Sequence, residues 1–160
     1  SKSKIGIHPS YCSEEKDLLS EEIQWLSTQH ESRIKSSRFH YLRYDIETSF
    51  FNLMNEGVQN DFSMAYGDHA GFRTSTSFPY YWFDLKKNIK TGLRIFTPCI
   101  MDSTFKYGSQ LDFNEKSAGL VKEVQNYGGV FIPIFHNDIL ADTDWQTKFK
   151  NTVNLLRNDL

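Results

Sequence analysis

Short apolar runs alternate along the chain with amphipathic stretches, and this alternation sets the first expectations. Ile5-Gly6-Ile7-His8 is an apolar run stopped by Pro9-Ser10, which predicts a strand ending at His8. From Ser13 the period lengthens: Leu19, Ile23, Leu26 and His30 recur at spacings of four, three and four. With Ser13 as N-cap and Glu14 and Glu15 in the first turn, that pattern predicts an amphipathic helix. Ser37 to Tyr44 alternates with a two-residue period and predicts the next strand, which puts Arg38 and His40 on one face. Asp45 can cap a helix carrying Ile46, Phe50, Leu53 and Met54, and Gly57 suits its C′ position. Val58 to Tyr66 reads as a strand with its turn, and Gly71 to Leu85 as an irregular, aromatic-rich loop or strand pair. Leu93 to Asp102 reads as a strand that Pro98 bends or places at an edge. A helix with Leu120, Val121, Val124 and Tyr127 on one face closes at Gly128-Gly129, and Val130 to Asn137 is the strongest buried strand. Asp142 then caps a last helix with Trp145, Phe149, Val153 and Leu156 as its apolar stripe.

Strand and helix in repeated order predict an α/β fold with a mainly parallel sheet. No internal repeat or Pro/Gly/Ser linker divides residues 1–160, so a single domain is expected. In such folds ligands sit beyond the C-terminal ends of the strands, where loops hold groups over a rigid sheet. His8, His40 and His136 fall at or near predicted strand ends, and imidazoles converging there suit metal ligation or proton transfer. Arg73 lies in Gly71-Phe72-Arg73-Thr74-Ser75-Thr76-Ser77, a hydroxyl-rich run that could surround an oxygen-rich ligand. Arg38 and Arg73 either orient a carboxylate bidentately or contact substrate. Asp61 and Asp102, near element ends, are turn caps or acids.

Composition narrows the function classes. The 160 residues carry 18 Lys+Arg against 20 Asp+Glu, a formal net charge of -2, with no block of like charge, which excludes a polyanion-binding surface and hence a nucleic-acid partner. No stretch of 18 apolar residues exists, so no membrane-spanning helix is expected; the opening Ser1-Lys2-Ser3-Lys4 does not lead into a signal-type apolar region, which favours the cytoplasm. Cys12 and Cys99 fit neither a disulfide framework nor a CxxC metal pair. The sequence holds no GxGxxG, P-loop, HExxH or GxSxG motif. The 13 Phe, 8 Tyr and 3 Trp crowd most densely at Phe78-Pro79-Tyr80-Tyr81-Trp82-Phe83, with Tyr80, Tyr81 and Trp82 offering either core packing with an interface or a platform for a flat ligand such as a sugar ring.

Gly6-Ile7-His8-Pro9-Ser10-Tyr11, Ser37-Arg38-Phe39-His40-Tyr41-Leu42, Asp61-Phe62-Ser63-Met64, Gly71-Phe72-Arg73 through Phe78-Pro79, and Phe135-His136-Asn137 follow one another in an order that resembles a bacterial branch of the polysaccharide deacetylase (NodB-homology) family. The resemblance covers nearly the whole chain. It implies an irregular, partial (β/α) barrel and metal-assisted hydrolysis of N-acetyl groups on a carbohydrate. It implies His8 and His40 as ligands of a divalent metal, zinc in the first instance, His136 as general acid, and Arg38, Asp61 and Arg73 as further catalytic residues. The sequence departs from the family pattern in three places, the first being His40, which stands where the family's motif around Arg38 has a proline. Cys12 stands where a second motif histidine is expected, and no Asp pair precedes Ile5, so the chain is expected to be the C-terminal part of a longer protein without the first barrel strand. An open-edged barrel of that kind could pair with a second copy. Two alternatives stand beside the deacetylase: a non-catalytic carbohydrate-binding or scaffold domain that has lost the metal site, and a hydrolase of non-sugar amides.

Overall fold

The structure, a computed structural model, describes residues 4–13, 16–108 and 110–158. The expected first-turn residues Glu14 and Glu15, and Ser1 to Ser3 of the basic opening, lie outside the described residues. The chain divides into two compact units, Ser1–Met64 with Pro79–Phe96, and Ala65–Phe78 with Thr97–Leu160.

The first unit is built on a four-stranded sheet. Helix α1 (Lys16–Gln29) precedes strand β1 (Ser36–Ser37), helix α2 (Ile46–Asn55) and strand β2 (Asn60–Asp61), and a hairpin of β3 (Tyr80–Asp84) and β4 (Ile89–Ile95) completes it. The sheet order is β1-β2-β4-β3, with β1, β2 and β4 parallel and β3 antiparallel to β4. Ile7 adds a single parallel bridge to Ser37. Helix α2 follows its sequence signals: the Asp45 side chain accepts the Thr48 N–H at 2.7 Å, and Gly57 takes φ 78° just past the helix, a conformation that costs glycine little. Leu19, Ile23, Phe39, Phe50, Leu53 and Ile95 are among the buried side chains of its core. Tyr44 stacks on Phe50 at 5.6 Å, and Trp82 meets the same ring edge-on at 5.7 Å.

The second unit pairs β5 (Ile100–Met101) with β6 (Pro133–Ile134) in parallel, joined through helices α3 (Asp102–Tyr107) and α4 (Phe113–Tyr127) and followed by α5 (Thr143–Asn158). Asp112 caps α4 by accepting the Glu115 N–H at 2.8 Å. Phe113 is the hub of its core, with Phe105, Phe135 and Trp145 packed edge-on at 5.3, 5.5 and 5.2 Å. The predicted α4 face is partly corrected: Leu120 and Val121 are buried with Phe113 and Ser117, whereas Tyr127 is 79% exposed.

The chain is thus mixed α/β with a partly parallel sheet, and its described strands form two sheets, without a closed barrel among them. Most predicted strands contract to two-residue pairings, because side chains and turns take the backbone donors that would extend them. The stretch predicted as a strand from Ser37 ends at once: the Phe39 N–H goes to the Ser63 hydroxyl at 2.9 Å, and His40–Leu42 form a 3-10 turn with Tyr41 and Leu42 at φ 52° and 53°. Arg38 and His40 therefore do not share a strand face. Val130 to Asn137 pairs only at Pro133–Ile134, since proline donates no hydrogen bond and the His136 N–H is taken by the Asp102 carboxylate at 2.6 Å. The segment predicted as one strand, bent or placed at an edge by Pro98, is instead two strands, β4 ending at Ile95 and β5 starting at Ile100 with Pro98 between them, and the end predicted as strand at Asp102 opens α3.

Candidate functional site

In the second unit, the register Met101↔Ile134 aligns two parallel strands, so Asp102, next after β5, and His136, two residues after β6, emerge at the same end. There they form a tight pair. The Asp102 carboxylate accepts the His136 backbone N–H at 2.6 Å through Oδ2 and meets the His136 ring Nδ1 at 2.6 Å through Oδ1, which also accepts the Ser103 N–H at 2.7 Å. Asp102 is sealed from solvent while the His136 side chain is 30% exposed. A carboxylate held by backbone donors fixes the imidazole with its proton on Nδ1, which makes Nε2 the nitrogen that can exchange a proton with a ligand. A sealed acid behind a half-exposed imidazole is a general acid–base arrangement.

His8, Arg38 and His40 come together in the first unit. The His8 Nδ1 lies 2.5 Å from the Arg38 carbonyl oxygen, the Arg38 N–H donates to the Ile7 carbonyl at 3.0 Å, and the His8 and His40 ring centroids are 4.5 Å apart. Tyr41 packs edge-on to His40 at 4.4 Å from its left-handed position. A Nδ1–H donated to a carbonyl is the arrangement that orients a ligating histidine. Yet zinc takes three or four protein ligands, and among the described residues no three His, Cys, Asp or Glu side chains gather into a metal-holding group. The described residues therefore supply two imidazole donors and do not by themselves fit a resident metal.

Asp61 is fully buried in the same unit. Its Oδ2 accepts the Ser37 hydroxyl at 2.6 Å and the Ser63 hydroxyl at 2.9 Å, and its Oδ1 accepts the Ser63 N–H at 2.9 Å. Burial pushes its carboxyl up to about 6 in spite of these three bonds. Burial and the nearby Asp61 raise the Tyr80 phenol as well. Along β3, exposure alternates: Tyr80 and Trp82 pack against the first core, while Tyr81 is exposed with the Lys90 ammonium 4.3 Å from its ring centroid. Tyr80, Tyr81 and Trp82 thus do not form one stacking surface, as the two-residue period of a strand requires.

Arg73, in the second unit, donates to the Ala65 carbonyl at 3.2 Å. The neighbouring hydroxyls largely close their own loop: Thr74 bonds the Thr97 hydroxyl at 2.7 Å, Thr76 accepts the Phe78 N–H at 3.1 Å, and Ser77 donates to the Gly128 carbonyl at 2.7 Å. Cys99 is buried, which pushes its thiol up to about 11 and makes it a poor nucleophile, whereas Cys12 is exposed.

Asp102, like Asp61, is a residue whose part the sequence leaves open between cap and acid. The available signal was its place after the apolar Ile100-Met101, matching the place of His136 after its own apolar run. No helix among the described residues is long and apolar enough to cross a membrane. No protein-family model matches the chain, and no curated protein matches it.

Proposed function

We propose that the chain is a polysaccharide deacetylase-like domain, built as an irregular, partial (β/α) barrel, that hydrolyses N-acetyl groups on a carbohydrate. The observation that carries this reading is the Asp102–His136 pair at the C-terminal ends of adjoining parallel strands. Amide hydrolysis needs a proton delivered to the leaving nitrogen, and His136 Nε2 is positioned by Asp102 to hold it. Water adds to the acetyl carbonyl carbon as one of its protons passes to His136 Nε2, the C–N bond then breaks, and His136 returns that proton to the departing amine nitrogen, leaving the acetyl group as acetic acid, which ionises to acetate. His8 and His40 offer two donors toward a divalent metal such as zinc, with a further ligand needed from outside the described residues.

A second reading, a carbohydrate-binding or scaffold domain without turnover, is favoured by the exposed Cys12, which stands where the resemblance places a second histidine. Acetate release from the N-acetylglucosamine tetramer, followed with the whole protein, separates the two. General acid–base catalysis contributes about 10²–10⁴-fold, so His136→Ala should lose roughly that factor in kcat, and Asp102→Asn should lower kcat and distort its pH profile. Acetate release unchanged in His136→Ala would overturn the proposed role. Saturable tetramer binding with no acetate from the native protein would establish the binding domain instead.

A further inference from the structure

Helix α1 carries two stripes. Leu19 and Ile23 turn into the first core, whereas Leu18, Glu22 and Trp25, with Glu21 beside them, line a groove of about 700 Å³ whose opposite wall includes Ile7 and His8. The spacing of 18, 22 and 25 puts these side chains on one helix face one turn apart. Trp25 is 66% exposed on that face. Glu22 is fixed at the wall, because its carboxylate accepts the Ser10 backbone N–H at 3.0 Å, and an ionised carboxylate has acceptor sites to spare beyond one such bond. The described lining contributes two carboxylates, an imidazole and an indole, and no lysine or arginine.

We infer that this groove binds an organic ammonium ion, with its ring or hydrocarbon body against Trp25 and Leu18 and its charged nitrogen at the Glu22 carboxylate, Glu21 adding negative charge beside it. Indole and carboxylate attract positive charge for separate reasons, the first through its ring quadrupole and the second through its net charge, so a ligand that meets both is selected as a cation. A neutral sugar would find the same apolar surface without the ionic contact. Two ligand sources share the required chemistry: an amine-bearing sugar chain, which N-acyl hydrolysis would release, and a linear polyamine. The site stands on the groove alone and does not depend on the Asp102–His136 reading.

Calorimetric titration of the whole protein tests it, with three probes: the glucosamine tetramer, its N-acetylated counterpart and spermidine. The free-amine tetramer is expected to bind at least about tenfold more tightly than the acetylated one, and to weaken as salt rises from low to physiological strength. Glu21→Gln, Glu22→Gln and Trp25→Ala should each weaken it about two- to fivefold, with Trp25→Phe recovering part of the loss. These side chains lie at the surface of the groove, so the variants should keep the native circular dichroism. Spermidine binding as tightly as the sugar amine supports the ammonium site and assigns it to polyamines; spermidine binding weakly supports it and assigns it to the sugar. Equal binding of the acetylated and free-amine tetramers, or unchanged binding in both glutamine variants, overturns it. Repeating the titration with His136→Ala keeps the two readings apart: lost acetate release with intact amine binding bears on the hydrolase alone, and lost amine binding in the groove variants with intact acetate release bears on the groove alone.

Discussion

Replacing Asp61 by Asn tests how the first unit carries a charge with no solvent contact. The carboxyl is 0% exposed and titrates near 6 rather than at its ordinary 3.8, desolvation outweighing the bonds from Ser37 and Ser63. A raised folded pKa means that the folded state holds the proton more tightly than the unfolded one. The contribution is therefore fully present below about pH 3.8 and is lost as pH rises through about 6. A gap of about two units corresponds to roughly 3 kcal/mol, spread over the window between those values. Asp61→Asn removes this ionisation while keeping one carbonyl acceptor, and the serine hydroxyls can rotate to accept from the amide. Urea titrations of both proteins at intervals from pH 4 to 7.5 isolate the residue, because every other carboxyl contributes to both curves. The native protein should lose about 2–3 kcal/mol relative to the variant across that range, which at ordinary urea sensitivities is a relative midpoint shift on the order of 1–2 M. Carbon-13 carboxyl titration reads the same group directly. Parallel stability curves, or an Asp61 carboxyl titrating at or below 4, would refute the reasoning.

Two further outcomes follow from the same structure. Gly129 sits at φ 105°, where an added Cβ would lie 2.3 Å from the Ser77 hydroxyl and 2.7 Å from its backbone, so Gly129→Ala should destabilise the second unit by roughly 2–4 kcal/mol in thermal unfolding. Gly119, inside α4 with open space at its Cβ position, is the control: Gly119→Ala should stabilise by about 0.5–1 kcal/mol, and a loss there would show that α4 is covered by something beyond the described residues. Two imidazoles without a third donor predict exchangeable zinc, lost on gel filtration after loading; stoichiometric zinc that is retained, and abolished by His8→Ala, would show that a third ligand exists.

The helices were legible because their signals are local. Asp45, the apolar positions at 50, 53 and 54, and Gly57 all lie within one stretch and do what their positions suggest, whereas Ile46, at the start of the helix, is 42% exposed. The strands were not, because their lengths depend on partners far along the chain. Phe39 gives its N–H to Ser63, 24 residues away, and His136 gives its own to Asp102, 34 residues away. A periodicity cannot register a hydroxyl or carboxylate that intercepts a backbone donor. The aromatic run is a different case: a period of two already separates Tyr81 from Tyr80 and Trp82, so the broken platform was readable from the strand assignment itself. The cage of Asp61 was half local: Ser63, two residues on, gives it both an N–H and a hydroxyl, whereas Ser37, 24 residues back, left no trace.

Asp61 and Asp102 show why residue type at a strand end does not assign a role. Both are fully buried, both lie at or next to the end of a short parallel strand, and both accept a backbone N–H. What separates them is the partner. Asp61 spends its remaining capacity on two serine hydroxyls, neither of which carries a proton to solvent near neutral pH, so its bonds tie β1 to β2 and end there. Asp102 spends its own on an imidazole that is 30% exposed and whose second nitrogen can meet a ligand. Environment divides two like carboxylates: the bonds of one end in a tie between two strands, and those of the other reach an imidazole open to solvent, the arrangement that the proposed acid–base role needs. On this argument Asp61→Asn should leave acetate release intact while it flattens the stability curve, and Asp102→Asn should lower acetate release.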